Sequence, residues 1–389
     1  MRLLTRYVLR EIGLVFLITL VSLTMLMVMI GAVREAIAQG LGIVQIVQLL
    51  PYLLPNALMF AVPGTILFSV SSVYGRMSGA NEIVALKSLG ISPMVILWPA
   101  LILAVLLSLT TVWLNDLAMS WGYNGVRRVV VDGLEDIAYG MLRRKKTFSA
   151  DAFSVTVQAV DGRTLINPMF TLHEDGKSTN VRAEAAQLHS EPGSGILTVK
   201  LLNATVNADG LFAEQPGVLE REIRVNPDFD KNPSPAHMAL ARMPAERVHQ
   251  HEIIETINSR MIARAGFQML TGDIDALTSD SWKRDGKDLQ HQLYRLYRLH
   301  TEPPRRWANG FSCLCFALVG SAMAIRMRNS DALTSFFLCF GPILLVYYPL
   351  LAFGVDRAKA GEITPYAVWL ANIVLALWGI WLLRRVIRY

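Results

Sequence analysis

The residues whose types and spacing invite chemistry lie in one short polar stretch, Gly75-Arg-Met-Ser-Gly-Ala-Asn-Glu-Ile-Val-Ala-Leu-Lys-Ser-Leu-Gly-Ile-Ser-Pro93, between two long apolar runs. Ser78 and Gly79 are helix-capping types, Glu82 falls in a first turn where the helix dipole favours a carboxylate, and Gly90 and Pro93 close the segment. The pattern predicts a helix over about 78–90, with Ile83, Leu86 and Leu89 on one side and Glu82 free to point elsewhere. A helix this short is marginal alone and needs something to lie against. An interfacial loop with Glu82 in water is the plain alternative. Capping together with an apolar face favours a helix docked on a partner protein, and an exposed carboxylate suits an arginine-lined groove.

Arg34 is the second candidate. It stands where the first apolar run ends, at the depth of lipid phosphates. There it either contacts an anionic head group or serves as an ordinary snorkelling anchor.

Other chemistry is missing. Asp175-Gly-Lys-Ser-Thr179 resembles the end of a phosphate-binding loop, but that motif needs a glycine at 171, where Thr171 stands, so it reads as a hairpin turn. His249-Gln-His251-Glu252 and the scattered histidines match no zinc spacing, and no G-x-S-x-G motif occurs. No cofactor site is expected in this chain, which reads as something other than a catalyst. Cys313, Cys315 and Cys339 read as small buried hydrophobes.

The elements that must position these residues follow from charge spacing. Hydrophobic residues make up 53% of the chain and charged ones only 17%, which points to the membrane class. Uncharged gaps at 12–33, 36–75, 88–115, 307–325, 332–355 and 363–383 are each long enough to cross a bilayer. Six spans result, three before and three after a polar insert at 117–306. Gln39, Gln45 and Gln48 suggest an interfacial helix before span 2, and Pro51, Pro55, Pro63 and Gly64 predict kinks or a break within it. Asn309 and Asn372 are polar residues within spans, suited to interhelical hydrogen bonds. The spans hold no ionisable residue away from their ends, whereas ion-driven transporters need such groups. Energy for any transport must then come from another polypeptide.

The insert carries 24 Lys/Arg against 24 Asp/Glu, so the net charge of +6 belongs to the membrane part. It reflects topology, and no nucleic-acid partner is expected. Arg2, Arg6, Arg10, Arg76, Lys87, Arg326, Arg328, Arg384, Arg385 and Arg388 fall in one set of short loops, and only Arg34, Arg357 and Lys359 in the other. The positive-inside rule puts both termini in the cytoplasm and 117–306 outside. The N-terminal run is too long for a cleaved signal and reads as an uncleaved first helix.

Three regions follow: 1–116 with spans 1–3 and the short helix, 117–306 outside the membrane, and 307–389 with spans 4–6. Span 3 is expected to continue as an amphipathic helix to about Leu142. From Lys146 the period changes to alternation. Runs at 153–160, 163–172, 181–189, 196–206 and 217–225 are separated by Asp161-Gly162, Asp175-Gly176, Pro192–Gly195 and Asp209-Gly210, and Asn226-Pro227 ends the last. They read as strands, over about 146–229, of an all-β sandwich or jelly-roll-like fold. A helical return follows at 237–302, with amphipathic helices at 245–263 and 288–300, and Pro303-Pro304 mark the start of span 4.

Taken together these features resemble the lipopolysaccharide export permease family LptF/LptG (the YjgP/YjgQ type). The matching residues are Leu4-Thr-Arg-Tyr-Val-Leu-Arg10, the proline-rich span 2 and Asn81–Pro93. The insert adds Asn167-Pro-Met-Phe170, Val181–Ala186 and Leu197–Asn203; span 4 adds Phe316–Gly320 and Ala324-Ile-Arg326. The resemblance implies a six-span bundle with a periplasmic jelly-roll-like insert, in the bacterial inner membrane. It implies a permease subunit that pairs with a second LptF/LptG-type subunit above an LptB-like ATPase dimer, which binds the ATP and Mg. An LptC-like single-span protein and a periplasmic bridge protein complete the expected partners, with lipopolysaccharide as cargo. In this resemblance Glu82 matches the family's coupling glutamate, with Asn81, Ile83, Leu86 and Gly90 around it, and Arg34 matches a phosphate-contacting position. The 237–302 region is longer and more polar than is usual in the family. A membrane scaffold with a protein-binding β domain, and a permease for another lipid, are the competing readings.

Overall fold

A computed structural model describes residues 2–39, 43–149, 153–174, 177–190, 196–208, 211–224, 234–272, 279–327 and 331–388. The chain divides into two compact units: Met1–Met25, Pro55–Ser120 and Ser234–Tyr389 in one, Leu26–Leu54 and Trp121–Pro233 in the other.

Six helical stretches are long and apolar enough to cross a membrane: Leu3–Ile37, Val44–Gly79, Met94–Val129, Ser281–Met327, Ala332–Ala360 and Pro365–Ile387. The first two lie in α1 (Arg2–Gln39) and α2 (Ile43–Gly79). Among the described residues no separate interfacial helix precedes span 2, contrary to expectation: Gln45 and Gln48 belong to α2, which runs unbroken through its prolines. Each proline removes one backbone bond, and a long helix set among other helices or lipid tolerates that loss.

After the short α3 (Glu82–Ser88), α4 (Met94–Leu117) passes through a π turn at Ala118–Gly122 into α5 (Tyr123–Asp132) and then α6 (Leu134–Lys145), as the amphipathic pattern beyond span 3 predicted. The return segment is α7 (Met243–Thr271) followed by α8 (Asp280–Met327). Pro303-Pro304, read as the start of span 4, lie inside α8, a single helix of 48 residues that runs unbroken through them. Thr301 donates its hydroxyl to the Tyr297 carbonyl at 2.7 Å just before the prolines. Span 5 consists of α9 (Ala332–Pro342), a π turn and α10 (Tyr348–Ala360), and span 6 ends in α11 (Leu370–Arg388).

In the first unit α8 is the hub, packed on α4, α7, α9, α10 and α11. Small and polar groups bring these helices close. Ser108 Oγ accepts the Leu314 N–H at 3.2 Å, and Asn372 Nδ2 donates to the Ala308 carbonyl at 2.8 Å, the interhelical role expected of it. All three cysteines are buried.

The second unit holds one antiparallel sheet: β1 (Thr147–Ser149), β2 (Phe153–Thr156), β3 (Ala159–Asp161), β4 (Thr164–Ile166), β5 (Met169–Glu174), β6 (Lys177–Arg182), β7 (Ala185–Ser190), β8 (Ile196–Ala208) and β9 (Leu211–Arg224). The first three expected strands are each split in two. The breaks lie side by side, at Val157-Gln158, Asn167-Pro168 and Ala183-Glu184. Bonds cross between them, from Gln158 N–H to the Ile166 carbonyl (3.1 Å) and from Asn167 N–H to the Glu184 carbonyl (3.0 Å). The same line crosses β8 at Asn203 (φ 52°) and meets β9 at Gly217 (φ 106°). Asn203 Oδ1 accepts the Gly217 N–H at 3.2 Å, and its Nδ2 donates to Glu184 at 2.8 Å. The sheet is thus curled along a crease.

With each broken pair rejoined, every strand pairs with its neighbour in sequence. The arrangement among the described residues is a curled meander, without the crossovers that a jelly roll needs. Short connections such as Gly162-Arg163 leave only hairpins available. The turn at Asp161-Gly162 is present, with Gly162 at φ 56°. Those expected at Asp175-Gly176, Pro192–Gly195, Asp209-Gly210 and Asn226-Pro227 lie outside the described residues.

Alternate residues of the sheet, including Val155, Phe170, Val181, Leu188 and Val199, form a core with Ala138, Tyr139 and Leu142 of α6. The Tyr139 hydroxyl lies 2.6 Å from the Arg163 carbonyl and accepts the Leu188 N–H at 2.9 Å, and burial raises its pKa. Glu135, one turn earlier, pairs with Arg163 at 3.2 Å and accepts the Ser190 N–H at 3.1 Å.

Candidate functional site

The short helix exists, but between narrower bounds than 78–90. Ser78 and Gly79 belong to the end of α2 and do not cap the next helix. Asn81 turns the chain, at φ 58° and ψ 14°, in the left-handed region that asparagine tolerates better than most residues. α3 then spans seven residues, Glu82–Ser88. At its far end Gly90 (φ 75°) donates to the Lys87 carbonyl at 2.9 Å, and Ile91 N–H reaches the Leu86 carbonyl at 3.0 Å. This paired closure is the Schellman motif, for which glycine is the preferred residue.

Side-chain placement decides what the helix can offer. Ile83 is buried in the core of the membrane bundle, and Leu86 packs against that core. The surface that α3 needs is therefore its own chain. Leu89, expected on the same side, is instead 75% exposed, because the turn at Gly90 carries it off the helix face. Asn81, Val84, Ala85 and Ser88 are exposed, and Glu82 is partly exposed. Among the described residues the Glu82 carboxylate has no hydrogen-bonding or ionic partner.

Two bonds that sequence reasoning missed fasten this segment to distant helices. Ser78 Oγ donates to the Ile325 carbonyl in the last turns of α8 at 2.6 Å. Lys87 Nζ donates to the Val386 carbonyl near the end of α11 at 2.8 Å. Lysine in a final helical turn was a legible signal for carbonyl capping, but not for whose carbonyl. Arg76, two residues before Ser78, pairs with Glu11 of α1 at 2.9 Å. Glu82 thus heads a helix anchored to α11 through Lys87, and the end of α2 just before it is anchored to α8 through Ser78.

Arg34 lies on α1, which continues beyond it to Gln39. Its side chain is exposed and makes no ion pair among the described residues. It stands in the unit of Leu26–Leu54 and Trp121–Pro233, whereas α3 belongs to the other.

A second polar centre was not anticipated. Arg306 is 1% exposed, and its guanidinium holds Asp116 at 2.6 Å, the Met238 carbonyl at 2.7 Å and the Ala236 carbonyl at 3.1 Å. Asp116 also accepts the Leu240 N–H at 2.8 Å. Both charges served only to bound apolar gaps in the sequence; nothing in their spacing links them.

No curated protein matches the sequence. The family described as lipopolysaccharide export system permease LptF/LptG matches residues 6–385, essentially the whole chain. With its six apolar helices and its β segment inserted between them, this multi-pass inner-membrane chain is a transporter component rather than an enzyme, and it belongs to the lipopolysaccharide export permease family LptF/LptG.

Proposed function

We propose that this chain is one permease half of an ABC exporter that lifts lipopolysaccharide from the inner membrane, driven by a separate LptB-like ATPase dimer that binds the ATP and Mg. The observation carrying this reading is Glu82: a carboxylate without an internal partner, at the head of a helix whose remaining contacts are all fixed. An arginine-lined groove on the ATPase receives it through charge-assisted hydrogen bonds. Closure of the ATPase on ATP then moves α3. Because Ser78 and Lys87 tie this segment to α8 and α11, the displacement reaches the hub of the bundle. Motion there narrows a cavity shared with a second LptF/LptG-type subunit and drives the lipid outward.

The first and fifth spans bury the least of their own surface, which leaves faces for a second permease subunit and an LptC-like single helix. Arg34, exposed at the outer end of span 1, serves a lipid phosphate. Of the strands, β9 pairs only with β8 among the described residues, and its free edge suits strand addition by a periplasmic bridge protein.

The test is lipid release from proteoliposomes holding the assembled complex. Glu82→Ala lowers ATP-driven release, and Glu82→Lys abolishes it, while the ATPase still co-purifies with the alanine variant. Undiminished release by both variants removes the coupling role. If no ATPase co-purifies with the wild-type chain, the scaffold reading replaces this one.

A further inference from the structure

Beside α3, the ends of α2, α8 and α11 enclose a cleft of about 800 Å³. Lys87, Arg326 and Arg385 line it, together with the apolar Ile83, Ile325 and Val386; among the described residues no carboxylate does. The three cations come from three helices. Lys87 uses one of its donors on the Val386 carbonyl, and Arg385 stacks on Trp381, its guanidinium carbon 4.0 Å from the ring centroid. Arg326 is exposed in the last turn of α8. Among the described residues none of the three meets an acidic side chain.

Basic residues at span ends are ordinary, and scattered ones simply face water and head groups. These three instead converge on one half-apolar cleft. Helix C-termini make cations tolerable there but neutralise none of them. Two guanidinium forks and an ammonium suit a phosphate ester, and the apolar wall suits the glycerol and upper acyl carbons attached to it.

We propose that this cleft binds the phosphate of an anionic phospholipid head group. The lipid bridges α3 to the ends of α8 and α11 and adds to the bonds from Ser78 and Lys87. The proposal needs only that these helix ends lie at a membrane surface; it is independent of the ATPase and of Glu82.

Native mass spectrometry of the full chain, released from micelles holding equal phosphatidylcholine and phosphatidylglycerol, provides the test. The wild type retains phosphatidylglycerol in preference to phosphatidylcholine. Arg326→Gln with Arg385→Gln lowers that retention roughly tenfold or more, the scale of losing one charge-assisted hydrogen bond. Arg6→Gln with Arg10→Gln, a pair outside the cleft, leaves it unchanged. Val84→Glu, which places a carboxylate on the exposed rim without touching the core, reproduces the loss if the arginine pair fails to fold. Equal retention of the two lipids overturns the proposal, as does equal loss in both arginine pairs. Complete displacement by glycerol phosphate also overturns it, because a soluble phosphate ester would then be the ligand.

Discussion

Arg306 and Asp116 join residues 190 positions apart, and the return segment closes over them through the carbonyls of Ala236 and Met238. Removing one member of a buried pair strands the other, a larger loss than the pair's net worth. Arg306→Met is expected to cost about 3 kcal/mol, at the low end of the usual range because Asp116 keeps partial access to water. Thermal unfolding in detergent measures it. Adding Asp116→Leu should recover part of the loss, and a wild-type melting curve for the single variant would show the pair to be idle. Such a pairing leaves no local mark in a sequence, since each residue looks like an ordinary span-end charge.

Among the elements, α4 and α8 meet at Gly310. A methyl there would stand 2.3 Å from the Val112 side chain and 2.9 Å from backbone atoms of Ser108 and Val112. Backbone cannot step aside as a side chain can, so Gly310→Ala should destabilise the bundle by about 1–3 kcal/mol. A lowered melting temperature with unchanged helical circular dichroism is the expected reading. The crease of the sheet makes a second case. Asn203→Gly keeps the left-handed backbone and loses two hydrogen bonds, whereas Asn203→Ala loses those bonds and adds roughly 1 kcal/mol of backbone strain. Hydrogen exchange across 197–219 should quicken in both variants, and more for alanine. Faster exchange in glycine than in alanine would mean that flexibility, rather than conformation, governs the crease.

At the scale of the whole molecule, the buried cysteines make membrane orientation measurable. A membrane-impermeant maleimide should leave Cys313, Cys315 and Cys339 unlabelled in the folded chain. Glu220→Cys, on the exposed face of β9, should label once the outer membrane is permeable. Ser88→Cys, on α3, should label only after the inner membrane is opened. The opposite pattern would put α3 on the wrong side for a cytoplasmic ATPase.

Six spans, an all-β insert and a helix headed by Glu82 were legible in the sequence because each rests on a local signal. Charge gaps, period-two alternation and the glycine that closes the helix at Gly90 are each read within one contiguous stretch, although Ser78 and Gly79 do not cap that helix. The unbroken course of α2 and α8 through their prolines was not legible, since packing and the surrounding medium outweigh one lost backbone bond. Nor was the crease, which needs breaks in separate strands to fall in register. Tertiary structure alone assigned Ile83 and Leu86 to the chain's own core, joined Lys87 to α11, and brought Arg326 and Arg385 to one cleft. Those contacts join residues far apart in the chain, and spacing along a sequence records only its neighbours.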